Sequence, residues 1–401
     1  MTDPSAKEAN RALLIVSLAV MLSTSVWFSG TAAAPTLQEI WQLSSLEMSW
    51  LTISVQVGFI LGTLLYAIFN LPDLFNSRSI YFLSATAGAL FNLAFAGFSD
   101  SLSSALVFRF LTGITLAGVY PVGMKIVASW FRVGLGWRLG VLIGALTFGK
   151  ASSYLLQTLS GILGWRLLVG MTSGATLIGG VLVLLLLADG PFLKQRAVFD
   201  FRMLFRVFRS RPFRYTAFGY FGHMWELYAF WSLIGFYIST TLSTDRVATS
   251  GLSFLALAAG GIGCILGGLL SRAWGERKVA LFCLVGSGVC CLLSGPLSFL
   301  PPFAVVSLVL IWGMLVVADS AQFSALATRF CPPQYTGTAL TVQNGIGFGI
   351  TIPSIELLTA LAGPLSWQFA FMTLAIGPAV GALFMFRLGT LPGADRPRVR
   401  A

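Results

Sequence analysis

The chain has 401 residues, of which 56% are hydrophobic and 10% charged, and its formal net charge is +11. Soluble globular domains carry about 25% charged residues, so this composition excludes a soluble domain and indicates a membrane protein. The five cysteines lie in apolar segments or at their ends, and their spacing suggests neither a metal site nor a disulfide framework.

Long apolar segments follow one another along the chain. A transmembrane helix needs about 20 mostly apolar residues. Segments of this kind are predicted at 12–34, 47–69, 79–98, 103–130, 138–162, 165–188, 214–240, 247–271, 278–299, 303–329, 336–361 and 366–388. The first is too long for the apolar core of a signal peptide, so we expect it to be retained as a span. Twelve spans predict an all-α membrane protein.

One long polar stretch separates the sixth span from the seventh. It divides the chain into a predicted six-helix bundle at 1–188, a basic linker at 189–213 and a second six-helix bundle at 214–401. The linker is expected to form in part an amphipathic helix on the cytoplasmic surface.

The basic residues predict the orientation. With the N-terminus inside, 20 of the 25 lysines and arginines fall on the cytoplasmic side, 2 outside and 3 within spans. Such a bias predicts that both termini are cytoplasmic. The positive charge therefore indicates topology and contact with anionic lipids, and not binding to nucleic acid. We expect a multi-pass protein of the cell inner membrane that works as a monomer.

The two halves resemble each other at an offset of about 200 residues. The segment GILGWRLL at 161–168 matches GPLSWQFA at 363–370, with Gly, Leu and Trp aligned. The segment LPDLFNSR at 71–78 aligns with LSRAWGER at 270–277 through Leu and Arg. Two similar six-span halves are typical of secondary transporters, in which the binding site lies between the halves near the middle of the bilayer.

Two short motifs carry a resemblance to a known family. The loop after the second span keeps Leu71, Asp73 and Arg78 of the pattern G-x-L-x-D-R-x-G-R-R, and the fourth span contains Arg109 and Gly113 in the pattern R-x-x-x-G. With twelve spans and the repeat, the chain resembles the major facilitator superfamily. The resemblance implies alternating access and a central cavity lined by all spans except the third, sixth, ninth and twelfth.

The same resemblance implies a cytoplasmic gate and a branch of the family. Asp73 and Arg78 are expected to act in gating, with Arg132 or Arg138 as partners of Asp73, and Arg109 is expected to act in proton coupling. The fourth, seventh and eleventh spans resemble the bacterial nitrate/nitrite and cyanate permease-like branch. Nitrate porters of that branch use arginines in their second and eighth spans, and this chain has none there before Arg272 at the cytoplasmic end. Nitrate is therefore not the expected substrate.

Ionisable residues inside the spans are expensive and mark functional sites by default. This chain has seven, all on spans that the resemblance places around the cavity: Arg109, Lys125, Lys150, His223, Glu226, Asp319 and Glu356. Lys150 and Glu226 each lie twelve residues into a span, about 18 Å along the helix and near the midplane. We expect them to face each other across the cavity.

Lys150 is predicted to hold an anionic or hydroxylated solute. Tyr154 and Gln157 share its helical face. The alternative is that Lys150 pairs with an acid to lock the two halves together. The other predicted substrate-binding residues are Trp225, Tyr228, Gln322, Gln343 and Asn344.

Glu226 is predicted to carry the coupling proton, since a buried carboxyl group can hold a proton and release it on hydration. His223 lies one turn before it, and histidine is the residue type that ordinarily exchanges protons near physiological pH. The alternative for His223 is a neutral ring bonded to a neighbouring helix. Asp319 and Arg109 complete the predicted coupling set.

The predicted function is secondary active transport of a small, anionic solute by alternating access, coupled to protons. No cofactor is expected beyond a proton or ion gradient, and the direction of transport, symport or antiport, stays open. One alternative is a proton-driven exporter of drugs or cations, which a midplane lysine disfavours. Another is a membrane receptor or intramembrane enzyme, although the sequence has no GxSxG motif and one histidine. The chain is not expected to be an enzyme.

Overall fold

A computed structural model describes residues 6–69, 71–131, 135–158, 164–192, 207–331 and 336–392, with the backbone alone for 72–73 and 336–338. The described chain is helical. Its helices are α1 (Ala6–Thr24), α2 (Ser29–Trp41), α3 (Ser45–Ile68), α4 (Leu71–Leu74), α5 (Ser77–Phe98), α6 (Leu102–Leu116), α7 (Tyr120–Trp130), α8 (Leu135–Gln157), α9 (Trp165–Leu186), α10 (Arg211–Leu242), α11 (Arg246–Trp274), α12 (Glu276–Leu297), α13 (Pro302–Ala318), α14 (Ser320–Phe330), α15 (Thr336–Ala370) and α16 (Ile376–Gly389). Short 3-10 turns occupy Val207–Arg209 and Phe371–Ala375.

These helices form twelve spans. Ten segments of the described chain are long and apolar enough to cross a bilayer, and the last of them, Ala339–Gly389, contains two helices separated by non-helical backbone at Ser366. The 32-residue helix α10 supplies the remaining span, in the predicted position of the seventh. The fold is two pseudo-symmetric six-helix bundles, as predicted. The linker helix prediction falls largely on residues outside the described ranges, and the boundaries at 188 and 213 stay a prediction.

Three spans are broken near their middle. The first is interrupted at residues 25–28 between α1 and α2, the fourth at 117–119 between α6 and α7, and the tenth at Asp319 between α13 and α14. In the fourth, Pro121 stands in the first turn of α7, where proline's missing N–H costs no helical hydrogen bond. Helix breaks at membrane depth expose backbone carbonyls and amides to ligands or side chains, which suits a transport site.

The sequence repeat extends to the backbone. Gly164 and Ser366 occupy equivalent positions in the two matched segments, and both have positive φ, 72° and 65°. Each is followed directly by a tryptophan, Trp165 or Trp367. Glycine adopts this conformation freely, whereas serine is strained in it. The second half therefore keeps the positive φ of this turn, although serine replaces the glycine that adopts it without strain.

The two bundles pack through long helices that face each other. Helix α8 runs along α11, and glycines set the separation: a Cβ atom on Gly144 would lie 2.9 Å from the carbonyl oxygen of Gly261. Helix α3 packs against α15 on the other side of the interface. At one end, the exposed side chains of Glu39 and Arg246 form an ion pair between the halves. Close helix packing through small residues is the usual solution where both neighbours are apolar.

Candidate functional site

A buried lysine lies at the centre of the interface between the bundles. Lys150 on α8 is 2% exposed, and its ammonium group donates a hydrogen bond to the hydroxyl of Tyr228 on α10. Its Nζ atom is 4.0 Å from the ring centroid of Trp27, 4.5 Å from that of Tyr228 and 4.7 Å from that of Trp231. Aromatic ring faces attract a cation, most strongly when water is excluded.

The ammonium group of Lys150 has no acidic partner in the described part of the chain. No carboxylate oxygen there lies within 4 Å of its Nζ atom. The alternative in which Lys150 locks the halves through an acid is therefore not the arrangement that these residues adopt. The link between the halves is instead the neutral hydroxyl of Tyr228.

More aromatic rings enclose this site, which we call the Lys150 cage. Phe28 stacks on Tyr228 at 6.3 Å, and Phe348 of α15 lies 5.7 Å from Trp27 and 5.1 Å from Tyr228. Its members are Lys150, Trp27, Phe28, Phe59, Tyr154, Tyr228, Trp231 and Phe348. The cage draws side chains from the first, second, fifth, seventh and eleventh spans. Both bundles therefore contribute to one site.

Donors without acceptors occur in the cage and on α3, the helix that carries Phe59. The indole Nε1 atoms of Trp27 and Trp231 are buried and find no hydrogen-bond partner among the described residues. Gln56 on α3 is fully buried; its Oε1 atom accepts from Thr351 at 2.6 Å, while its Nε2 donor has no partner within the same part of the chain. Buried donors are normally satisfied. An excess of donors beside a cation suits a ligand that supplies acceptors and negative charge.

Glu226 faces away from the cage. Its Oε1 atom accepts from the indole N–H of Trp312 at 2.5 Å and from the thiol of Cys291 at 3.2 Å, and its Oε2 atom accepts from Ser287 at 2.8 Å. These partners lie on α12 and α13, inside the second bundle. The expectation that Glu226 faces Lys150 across the cavity is wrong, because Tyr228, two residues further along α10, has that orientation instead. Its role in coupling stays a prediction.

His223 forms a second polar cluster in the same bundle. Its Nδ1 atom is 2.9 Å from Oδ1 of Asp319, and its Nε2 atom is 2.9 Å from the hydroxyl of Ser320. His223 and Asp319 are 1% and 2% exposed. The break in the tenth span places Asp319 at the beginning of α14, where its backbone oxygen accepts from the amides of Gln322 and Phe323. The structure thus pairs His223 with Asp319 and not with Glu226.

Arg109 repairs the break in the first span. Its guanidinium group donates to the carbonyl oxygens of Val26 at 2.9 Å and Trp27 at 2.5 Å, to the hydroxyl of Ser29 at 3.0 Å and to Oδ1 of Asn92 at 2.9 Å. Arg109 is fully buried. Carbonyl groups left free by a broken helix need such donors in a bilayer. This arrangement fixes the turn that carries Trp27 and Phe28 into the cage, and the predicted coupling role of Arg109 stays untested.

The predicted gating residues are only partly described. Arg78 binds the end of α9, with its Nε atom 3.1 Å from Asp189 and one terminal nitrogen 2.5 Å from the carbonyl oxygen of Leu187. Arg138 lies over the ring of Phe131, 4.0 Å from its centroid. The side chain of Asp73, and all of Arg132, lie outside the described residues.

The second half repeats the contact of Arg78. Arg277 donates to the carbonyl oxygen of Met385 at 3.3 Å, near the end of α16. Both arginines therefore bind the carbonyl end of the last helix in their bundle, where a cation is favoured by the helix dipole.

The remaining predicted substrate-binding residues are divided. Tyr154 belongs to the cage through its hydroxyl, which donates to the carbonyl oxygen of Trp231 at 2.7 Å. Trp225 packs against Gly377 of α16, outside the cage. The amides of Gln322 and Gln343 are buried, and the Nε2 atom of Gln322 and both polar atoms of Gln343 lack partners within the described ranges. Gln157 and Asn344 are half-buried.

Sequence reasoning missed Trp27, Phe28, Gln56, Phe59, Trp231 and Phe348. Aromatic residues in an apolar span resemble ordinary packing, so nothing in their local pattern separates them from lipid-facing side chains. Gln56 was the one available signal, because an amide in the middle of a span is costly unless it has a partner or a role.

Twelve spans in two similar bundles around a buried polar site define a membrane transporter. The family model of the Major Facilitator Superfamily matches residues 15–353, and the chain belongs to this superfamily. It is a multi-pass membrane transporter and not an enzyme. The resemblance to the nitrate/nitrite and cyanate branch stays a prediction.

Two curated proteins of Acinetobacter baylyi are similar in sequence. The niacin transporter NiaP is 30% identical over 148 residues, which cover 32% of this chain and 32% of NiaP. The 4-hydroxybenzoate transporter PcaK is 24% identical over 402 residues, covering 88% of this chain and 85% of PcaK. The match therefore spans about a third of NiaP and most of PcaK.

Two solved structures share the fold. A bacterial homolog of the human lysosomal transporter Spinster, inward-facing and unoccupied, has a TM-score of 0.73 and 15% identity, covering 99% of this chain and 100% of that one. The proton:xylose symporter XylE, bound to 6-bromo-6-deoxy-D-glucose, has a TM-score of 0.75 and 12% identity, with 96% of each chain covered. At 15% and 12% sequence identity, the structural similarity shows that the fold is shared and nothing more.

Proposed function

We propose that this protein is a proton-coupled secondary transporter of a small organic anion, working by alternating access in the cell inner membrane. The observation that carries the proposal is the buried ammonium group of Lys150, enclosed by aromatic rings and without a carboxylate among the described residues. A buried charge is costly unless it is paired. A carboxylate on the substrate would supply the missing partner.

The solute class that fits the cage is an aromatic monocarboxylate. Ring faces of Trp27, Phe28 and Tyr228 offer offset stacking to a flat apolar body, and Lys150 offers a charge-assisted hydrogen bond to its carboxylate. The indole N–H groups of Trp27 and Trp231 add further donors. Niacin and 4-hydroxybenzoate, named for the two curated relatives, are both aromatic rings with one carboxylate.

Alternating access is supported by where the cage lies. Its side chains come from both bundles, so a substrate bound there contacts both and favours conformations that close around it. The glycine-lined contact between α8 and α11 lets the halves approach closely. Rocking of one bundle against the other around a fixed site is the motion that this arrangement suits.

A ligand-stabilisation screen with the purified protein tests the solute class. We expect nicotinate, benzoate and 4-hydroxybenzoate to raise the melting temperature, because ligands that bind the folded state stabilise it. The matched neutral amides, nicotinamide and 4-hydroxybenzamide, have the same shape without the charge and should have little effect. Uptake of the best ligand into proteoliposomes then tests transport.

Other outcomes of the screen would overturn the proposal. Equal stabilisation by acids and amides would remove the role of Lys150 as an anion partner. Stabilisation by lipophilic cations alone would favour the cation exporter, and a ligand that binds but is never transported would favour a receptor.

A further inference from the structure

Ser320, His223 and Asp319 form a cluster whose members are not part of the Lys150 cage. His223 is the middle member, 2.9 Å from the carboxylate on one side and 2.9 Å from the hydroxyl on the other. The three residues belong to the seventh and tenth spans, and the break before α14 brings Asp319 and Ser320 to the same ring. Histidine is the side chain that exchanges protons near neutral pH.

The geometry accommodates two protonation states without moving a heavy atom. With neutral His223, the Nδ1–H group lies beside Asp319, and the Nε2 atom accepts from the hydroxyl of Ser320. With one more proton, both ring nitrogens carry a hydrogen, and the hydroxyl of Ser320 rotates so that its oxygen accepts from Nε2. A serine hydroxyl can do either, because its hydrogen turns freely about the C–O bond.

The two protonation states differ in net charge. The protonated state is an imidazolium–carboxylate pair with no net charge. The deprotonated state leaves one negative charge on Asp319, which lies between the C-terminal end of α13 and the N-terminal end of α14. Binding a proton at His223 therefore neutralises the pair.

The surroundings contain few other ionisable groups. Cys264 of α11 and Cys283 of α12 face Asp319, while Tyr220 and Glu226 are neighbours on α10 itself. In the described parts of α8, α13, α14 and α15, no lysine or arginine nitrogen lies within 4 Å of the Asp319 carboxylate, and no other carboxylate lies within 4 Å of the His223 ring nitrogens. No lysine or arginine among these residues fixes Asp319 in its ionised form.

The Ser320–His223–Asp319 cluster and the Glu226 cluster differ in solvent exposure. Ser320 is half-buried, so the first cluster has accessible surface at its serine end. Glu226 and its three partners, Ser287, Cys291 and Trp312, are each at most 2% exposed. The indole N–H of Trp312 can only donate, so Oε1 of Glu226 stays an acceptor in every state. Glu226 is thus built as a cross-link between α10, α12 and α13.

We infer that Ser320, His223 and Asp319 form the proton relay of this transporter, with His223 as the carrier, and that Glu226 is structural. The inference rests on the proposed function, in that it assigns the residues for its coupling step. On loading, a proton enters past Ser320 and binds Nε2 of His223. On release, the same proton leaves from Nε2 to water at Ser320, while Nδ1 keeps its hydrogen beside Asp319.

One test needs no substrate, because His223 is the only histidine of the chain. Protein labelled with ¹⁵N-histidine and purified through an affinity tag without histidine gives one pair of imidazole signals in lipid bilayers. We expect them to switch between the neutral and imidazolium forms between pH 5 and 9. In Asp319→Asn the switch should occur at lower pH than in the wild type, since the variant loses the contacting negative charge that favours the imidazolium. A ring that stays in one form throughout this range would overturn the inference.

A second test uses proteoliposomes with labelled 4-hydroxybenzoate. We expect His223→Gln and Asp319→Asn to keep exchange of labelled for unlabelled solute at equal pH but to lose accumulation driven by a pH gradient. Glu356→Gln, which removes a half-buried carboxyl group of α15, is the matched control and should keep both. Accumulation that survives in both relay variants would overturn the inference.

The variants also distinguish the two acids and the two proposals. Glu226→Gln should lower the melting temperature while the pH gradient still drives accumulation; the opposite pattern, loss in Glu226→Gln and survival in Asp319→Asn, would make Glu226 the carrier. Ser320→Ala folds with the least disturbance and should slow proton-driven uptake without changing exchange. If the wild type exchanges no aromatic acid, the proposed substrate class fails, while the ¹⁵N titration still decides the relay.

Discussion

Replacing Lys150 with methionine tests the site through two effects of opposite sign. Methionine is unbranched like lysine, is one atom shorter, and removes the charge. An intramembrane cation costs at least about 2.5–3.5 kcal/mol. The contacts with the rings of Trp27, Tyr228 and Trp231 return about 2 kcal/mol in a desolvated site. Removing the charge should therefore stabilise the empty protein by about 1 kcal/mol.

Binding should change in the other direction. A hydrogen bond to a charged group contributes about 1.5–3 kcal/mol, so the affinity of Lys150→Met for an aromatic carboxylate should fall about 10- to 150-fold. The assay is a thermal unfolding curve of the detergent-solubilised protein, without ligand and with increasing 4-hydroxybenzoate. The melting temperature without ligand should rise by about 1–3 °C, while the ligand-induced rise should disappear.

The control is Lys125→Met on α7, which removes a half-buried lysine outside the cage. Its affinity for 4-hydroxybenzoate should match that of the wild type. Unchanged affinity in Lys150→Met would refute the reasoning about the anion site. A large loss of stability in the same variant would show that Lys150 serves packing and not binding.

Three further variants test the scaffold around the site. Ser366→Gly should raise the stability by about 1 kcal/mol, because it relieves a positive φ that costs serine about 1–3 kcal/mol; a lowered melting temperature would contradict this. Arg109→Met should lower the free energy of unfolding by several kcal/mol, because it leaves carbonyl oxygens of the first span unsatisfied. Asn92→Ala should cost less stability in the Arg109→Met background than in the wild type, because Asn92 binds Arg109. A double-mutant cycle of unfolding measures this difference. Glu39→Arg and Arg246→Glu should each lower the uptake rate, and the double variant should restore it, because the ion pair is re-formed with reversed charges. The effects on stability should stay within about 1 kcal/mol because the pair is exposed. An uptake rate that does not recover in the double variant would show that this ion pair is not a contact of the transport cycle.

Long, strongly apolar segments could be predicted because each depends on its own residues. The long apolar segments predict the twelve spans, although the seventh is less apolar than the others, and the repeat around Trp165 and Trp367 identifies two related halves. The structure even gives the residues before these tryptophans the same positive φ. Local patterns of this kind need no knowledge of which helix faces which.

The composition of the site could be predicted only in part. Lys150 and Tyr228 were identified because a cation near the midplane is costly to insert and a phenol hydroxyl there needs a hydrogen-bond partner. Both statements hold whichever way the helix is turned. Their partners were not, since Trp27 and Phe348 come from distant spans and carry no charge. The placement of Glu226 was wrong for the same reason: helical periodicity gives the relative faces of residues on one helix, but not the direction in which the helix is turned.

By itself, the sequence determined a twelve-span membrane protein with two related halves, its ionisable groups inside the bilayer, and its place in a transporter superfamily. The tertiary structure decided how these groups are paired. It set Lys150 among rings without an acid, joined His223 to Asp319 across a break in the tenth span, and enclosed Glu226 between three donors. The physical reason is that a span's depth follows from its own length, whereas the rotation of each helix follows from packing against all the others.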